Sequence, residues 1–229
     1  MNVVVVGADK GIGEAVAKLF LEKGHKVGVG LYSGDEGSGT SWEKDLHENA
    51  LLFHTDVCNE ETLKRAAKLA YGAFGPLDSV IVAAGILSSS DRVKSIIDCD
   101  LQDLREMFDV NALGIISVFR SFYQYMKKDR MSKFIAVTAA GGVFSEETSL
   151  FPGYHISKTA ANKLVQILKS SIEDISVLAL HPGRVNTEMG RTTAQIEPEE
   201  SASGIYRIVA ELTQVPGWFI DYKGNALKL

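Results

Sequence analysis

The chain has 229 residues, of which 45% are hydrophobic and 23% charged, and a formal net charge of −5. This composition is ordinary for a globular protein and argues against disorder, while the negative balance argues against a broad nucleic-acid or anionic-membrane surface. Cys58 and Cys99 stand far apart with no metal-ligand spacing, no apolar run approaches the roughly 18 residues of a membrane span, and no basic leader precedes "MNVVVVGADKGIG", so the expectation is a cytoplasmic protein without a metal.

In chain order, "NVVVVGA" (2–8) is a continuous apolar run, as expected of a strand covered on both faces. Residues 11–23 carry a helical stripe of Ile12, Ala15, Val16, Leu19 and Phe20. A second strand is predicted at 25–32, then a polar, glycine-rich connection up to 49, a third strand at 50–57, a helix at 60–74 and a fourth strand at 77–85. A polar connection through 86–100 leads to one long helix at about 101–127. A strand at 132–139, a helix at 154–171, a strand at 175–183, a helix near 198–213 and a short strand at 218–221 complete the chain. Repeated β-then-α units with buried-type strands predict an α/β fold: one doubly wound domain over 1–229, with a parallel sheet of about seven strands flanked by helices.

The first strand runs into "GADKGIG", which sets Gly7, Gly11 and Gly13 at a strand-to-helix junction, with Ile12 between the last two. Glycines there permit a tight turn and let a phosphate approach backbone N–H groups at a helix N-terminus. The spacing departs from G-x-G-x-x-G, and no G-K-[ST] follows, which argues against a nucleoside triphosphatase. Such turns also arise for purely structural reasons, but the position at the first βα junction favours a dinucleotide. Sites that prefer NAD place a carboxylate at the end of the second strand. Here Leu31, Tyr32 and Ser33 stand at that end, and the first acid is Asp35. Lys10, inside the turn, either meets a 2′-phosphate or is a solvated turn residue. The balance favours NADP(H), with NAD(H) as the alternative.

Farther along, "YHISK" places Tyr154 and Lys158 one helical turn apart, on a shared face. Taken alone, such a spacing is usually an amphipathic helix start with a surface lysine. A nearby ammonium would favour the phenolate and lower the phenol's ordinary pKa of about 10.

Six stretches occur in one order: "GADKGIG", "TDV", "VAAG", "VNALG", "YHISK" and "HPGRVNTEM". This series resembles the short-chain dehydrogenase/reductase family over nearly the whole chain, and the tail "GWFIDYKGNAL" resembles the small C-factor-like members. The resemblance implies a Rossmann-type fold that binds NADP(H) or NAD(H), assembles as a homodimer or homotetramer, and interconverts a carbonyl and a secondary alcohol on a small substrate. It implies that Gly7, Gly11 and Gly13 hold the pyrophosphate side, with Ile12 and Lys10 in the same turn, and that Asp56 and Val57 meet the adenine. Ala83, Ala84 and Gly85 would line the adenosine ribose, and Pro182, Gly183, Val185 and Thr187 would seat the nicotinamide end. Tyr154 becomes the general acid, Lys158 its cation and a ribose ligand, and Asn111 the holder of a water that links Lys158 to solvent. Substrate loops are expected at about 86–98, 143–153 and 188–204.

One position departs from the family pattern. A serine normally ends the fifth strand and donates to the substrate oxygen; here the stretch is "FIAVTAAGG". Alignment by the strand gives Ala139 that place, and a shift by one gives it to Thr138. A rival expectation follows, of a dinucleotide-binding sensor or partner protein whose chemistry has weakened.

Overall fold

The computed structural model describes residues 1–32, 42, 47–145, 147–190 and 194–228. The connection expected up to residue 49 therefore lies largely outside the described residues, apart from a fully buried Trp42 and residues 47–49.

Seven strands form one parallel sheet in the order β3-β2-β1-β4-β5-β6-β7. They are β1 (Asn2–Val6), β2 (Lys26–Leu31), β3 (Ala50–His54), β4 (Ser79–Val82), β5 (Lys133–Val137), β6 (Ser176–His181) and β7 (Phe219–Asp221). The helices between them are α1 (Gly11–Glu22), α2 (Glu60–Phe74), α3 (Leu101–Phe108), α4 (Gly114–Phe122), α5 (Pro152–Ser171) and α6 (Pro198–Ala210). The valine run of β1 is buried because both faces of the sheet are covered. Val3 and Val5 pack with Phe20 of α1 and Ile205 and Ile208 of α6. Val4 and Val6 pack with Leu63 of α2, Phe122 of α4 and Val165 of α5.

β1 pairs with β2 on one side and β4 on the other, so the chain leaves it in both directions across the sheet. Such a switch point opens a crevice at the carboxyl ends of the strands.

Predicted strands ran long where a turn residue ends pairing early. β1 stops at Val6 rather than residue 8, because Gly7 adopts φ +83°. The helix expected at 101–127 is four consecutive helical segments. A π-helical turn, Asp109–Leu113, separates α3 from α4, and a short 3-10 turn, Tyr123–Tyr125, follows α4. No helix among the described residues is long and apolar enough to cross a membrane.

Candidate active site

The glycine turn is packed backbone to backbone. A Cβ on Gly7 would lie 2.4 Å from the Ala84 nitrogen, and one on Gly13 only 2.1 Å from the Gly7 oxygen. These approaches draw the ends of β1 and β4 and the start of α1 together. Lys10, whose ammonium cannot accept a hydrogen bond, stands at the α1 N-cap, so no N-cap side chain occupies the first-turn N–H groups. The Trp42 indole Nε1 donates to the Ala8 carbonyl at 2.9 Å and so holds the turn from behind.

The charges here were only partly readable from sequence. Lys10 pairs with Glu188, both side chains being largely exposed. Asp9 accepts from the Tyr32 backbone N–H at 3.0 and 3.1 Å, so the turn supplies a carboxylate at the end of β2 that the second strand lacks. The signal for it was absent because 23 residues separate the two. The Thr187 Cγ2 would lie 3.0 Å from a Cβ on Gly11, which sets this segment over the turn.

Of the positions expected at the adenosine end, Asp56 accepts from the Cys58 N–H at 2.8 Å, and Val57 is buried against Gly114. Ala83 and Ala84 both donate their backbone N–H to the Val6 carbonyl. At the other end, Gly183 adopts φ +87° and Pro182 accepts from the Ser201 hydroxyl at 2.8 Å. Val185 is buried and bridges to Ile196.

Gly85, Asn111, Tyr154 and Lys158 come together. A Cβ on Gly85 would lie 3.2 Å from Asn111 Oδ1 and 3.4 Å from Lys158 Nζ. Lys158 is buried in α5; its ammonium donates to the Val137 carbonyl at 3.1 Å and stands 5.7 Å from the centre of the Tyr154 ring. Burial pushes the lysine down to about 8 and the Tyr154 phenol up to about 12. The direction is opposite to the lowering expected from the neighbouring ammonium: loss of water around the half-buried phenol raises it, and the phenol holds its proton at neutral pH.

Asn111 sits in the π turn with its amide fully engaged. Oδ1 accepts from the Ile86 N–H at 2.8 Å, and Nδ2 donates to the Ile86 carbonyl at 2.9 Å and the Ser157 hydroxyl at 3.0 Å. Its side chain ties the end of β4 to α5. Thr138 continues the β5 ladder by donating to the Leu180 carbonyl, and its buried hydroxyl has no protein partner among the described residues. Ala139 is extended as well, so by alternation its methyl points to the opposite side.

Asp91, Asp9, Trp42 and Ser157 were missed by sequence reasoning. Asp91 is buried and accepts from the backbone N–H groups of Gly153 and Tyr154. No local pattern pointed to it, since its partners are 62 and 63 residues away.

The sequence profile described as short chain dehydrogenase matches residues 1–198. A short chain dehydrogenase of Penicillium aethiopicum, gsfK, is 26% identical over 249 aligned residues, covering 99% of this chain and 98% of the other. Among solved structures, an NADPH-bound carbonyl reductase from chicken fatty liver superposes with a TM-score of 0.89 at 21% identity, over 100% of this chain and 98% of that one. The carbonyl reductase Sniffer of Drosophila melanogaster gives the same TM-score at 20% identity, with both chains fully covered.

Proposed function

Since the chain belongs to the short-chain dehydrogenase family, a family of oxidoreductases, we propose that it interconverts a carbonyl and a secondary alcohol on a small, largely apolar substrate, with NADP(H) favoured over NAD(H). The observation that carries this reading is the burial of Lys158 beside Tyr154 and Gly85 at the crevice.

The turn fits a dinucleotide pyrophosphate: the Cβ positions of Gly7 and Gly13 are filled by backbone, and the α1 start offers N–H groups that the N-cap side chain leaves alone. Gly11, Ile12 and Gly13 would hold it, with Asp56, Val57 and Ala83 to Gly85 toward the adenosine and Pro182 to Thr187 toward the nicotinamide. Bound there, the nicotinamide supplies or accepts the hydride.

Tyr154 then acts as acid. Its O–H bond breaks as the substrate oxygen gains the proton, and a phenol held near 12 is fully protonated before that step. Lys158, held near 8, stabilises the phenolate left behind and can return a proton to it. Asn111 positions Lys158 and α5 through Ser157. Exposed apolar side chains on two of the expected substrate loops, Val93 and Ile97 on one and Phe144 and Leu150 on the other, support an apolar substrate.

Lys10 and the NADPH held by the chicken carbonyl reductase favour NADP(H). Asp9 beside Tyr32 works in the opposite direction, because a carboxylate there suits ribose hydroxyls. The enclosed Thr138 hydroxyl and the methyl of Ala139 favour a second reading, a dinucleotide-binding protein with weak chemistry. Steady turnover separates the two. NADPH and NADH oxidation are measured against a panel of carbonyls, with Tyr154→Phe alongside. The expected result is NADPH-linked turnover that the substitution lowers by roughly 10²- to 10⁴-fold while NADPH binding persists; undiminished turnover in Tyr154→Phe removes the phenol from the mechanism.

A further inference from the structure

Helix α5 carries Tyr154 in its first turn, and no neighbouring residue in sequence caps it. Phe151, at the N-cap, is left-handed at φ +49° and makes no side-chain bond, Pro152 has no N–H, and the first turn contains no acid. The next two N–H groups, of Gly153 and Tyr154, both donate to Asp91, at 2.9 Å to Oδ1 and 2.9 Å to Oδ2. Only 4% of Asp91 is exposed, and no ion pair among the described residues reaches it. Two charge-assisted bonds and the helix N-terminus are what offset the burial of this anion. The approach depends on Gly153, where a Cβ would lie 3.1 Å from Asp91 Oδ1 and 2.5 Å from Met107 Cε.

The carboxylate is itself held firmly. It sits in a 3-10 turn, Ser90–Arg92, whose flanks are tied down. The hydroxyls of Ser88 and Ser90 both donate to Asp103 of α3, and the Arg92 guanidinium donates to the Met189 carbonyl at 2.7 Å. The loop expected to cover substrate thus clamps the backbone nitrogen of the residue expected to protonate it.

We propose that Asp91 is a positioning residue for Tyr154: by fixing the main-chain N–H groups of residues 153 and 154 it sets where the phenol points, and it couples that direction to the 86–98 loop. This rests on the reading of Tyr154 as proton donor. Its effect falls on the chemical step, since the glycine turn that would hold the dinucleotide makes no use of Asp91.

The test compares Asp91→Ala and Asp91→Asn with the wild-type chain by kcat, by NADPH affinity and by hydrogen–deuterium exchange at the amides of 153 and 154. Asp91→Ala is expected to lower kcat on the order of 10²-fold, the scale of an ångström of misplacement. NADPH affinity stays within about threefold, as a change confined to the chemical step requires, and both amides exchange faster in the cofactor-free protein. Asp91→Asn keeps one acceptor and falls between, and it carries the test where Asp91→Ala does not fold. A kcat equal to wild type overturns the proposal, as does unchanged exchange. A wild-type chain without turnover on any carbonyl removes the reading of Tyr154 instead, and exchange alone then decides whether Asp91 holds the helix start.

Discussion

Lys158 keeps an ammonium at the crevice with 4% of the residue exposed and the Val137 carbonyl as its hydrogen-bond acceptor. Burial lowers it from 10.5 to about 8, so between those values the folded chain binds fewer protons than the unfolded one. Stability contributed by this group therefore rises with pH across that window. Tyr154, pushed up to about 12, acts in the opposite sense above its ordinary 10. Denaturant titrations at pH 7.5 and 9.5 isolate the lysine as the difference between the wild-type chain and Lys158→Met: the wild-type chain is expected to gain about 2 kcal/mol from it across that window, a gain that the variant loses. The pairing of Tyr154 and Lys158 was legible because a four-residue spacing in a helix is short-range geometry. The direction of the phenol's shift was not, since it depends on how far the surrounding elements exclude water. Residues 138 and 139 stayed open for a related reason: alternation separates their side chains but does not name the side that meets a ligand.

At the level of elements, the π turn Asp109–Leu113 changes the most relative to expectation. Leu104, Met107 and Phe108 before it, and Ile115, Val118, Phe119 and Phe122 after it, make one apolar stripe in sequence, so periodicity reads a single helix. An inserted residue shifts the stripe too little to be seen, yet it sets Asn111 where its amide links Ile86 to Ser157. Asn111→Ala removes three hydrogen bonds at a site 1% exposed and leaves Ile86 unpaired, and a loss of roughly 2–4 kcal/mol in urea unfolding is expected. The start of α5 was likewise set at 154 from sequence, and it lies at Pro152 because a distant carboxylate replaces the local cap.

Across the whole molecule, the parallel, doubly wound sheet of about seven strands was legible because parallel strands covered on both faces read as plain apolar runs, and helices separate them at regular intervals. What escaped were links between distant parts of the chain, Asp9 to Tyr32, Asp91 to Tyr154 and Trp42 to Ala8, whose members share no local pattern. The last of these has an optical consequence. The chain has two tryptophans: Trp42 sits against the glycine turn, while Trp218 precedes the edge strand β7, on the far side of β4, β5 and β6. Dinucleotide bound over the glycine turn would alter the surroundings of Trp42, whose indole is hydrogen-bonded behind that turn. A titration with NADP⁺ followed by emission is therefore expected to change the Trp42 signal, read as the difference between the wild-type chain and Trp42→Phe, and an equal response in the two chains would put the ligand away from the turn. The protein carries its own reporter of occupancy.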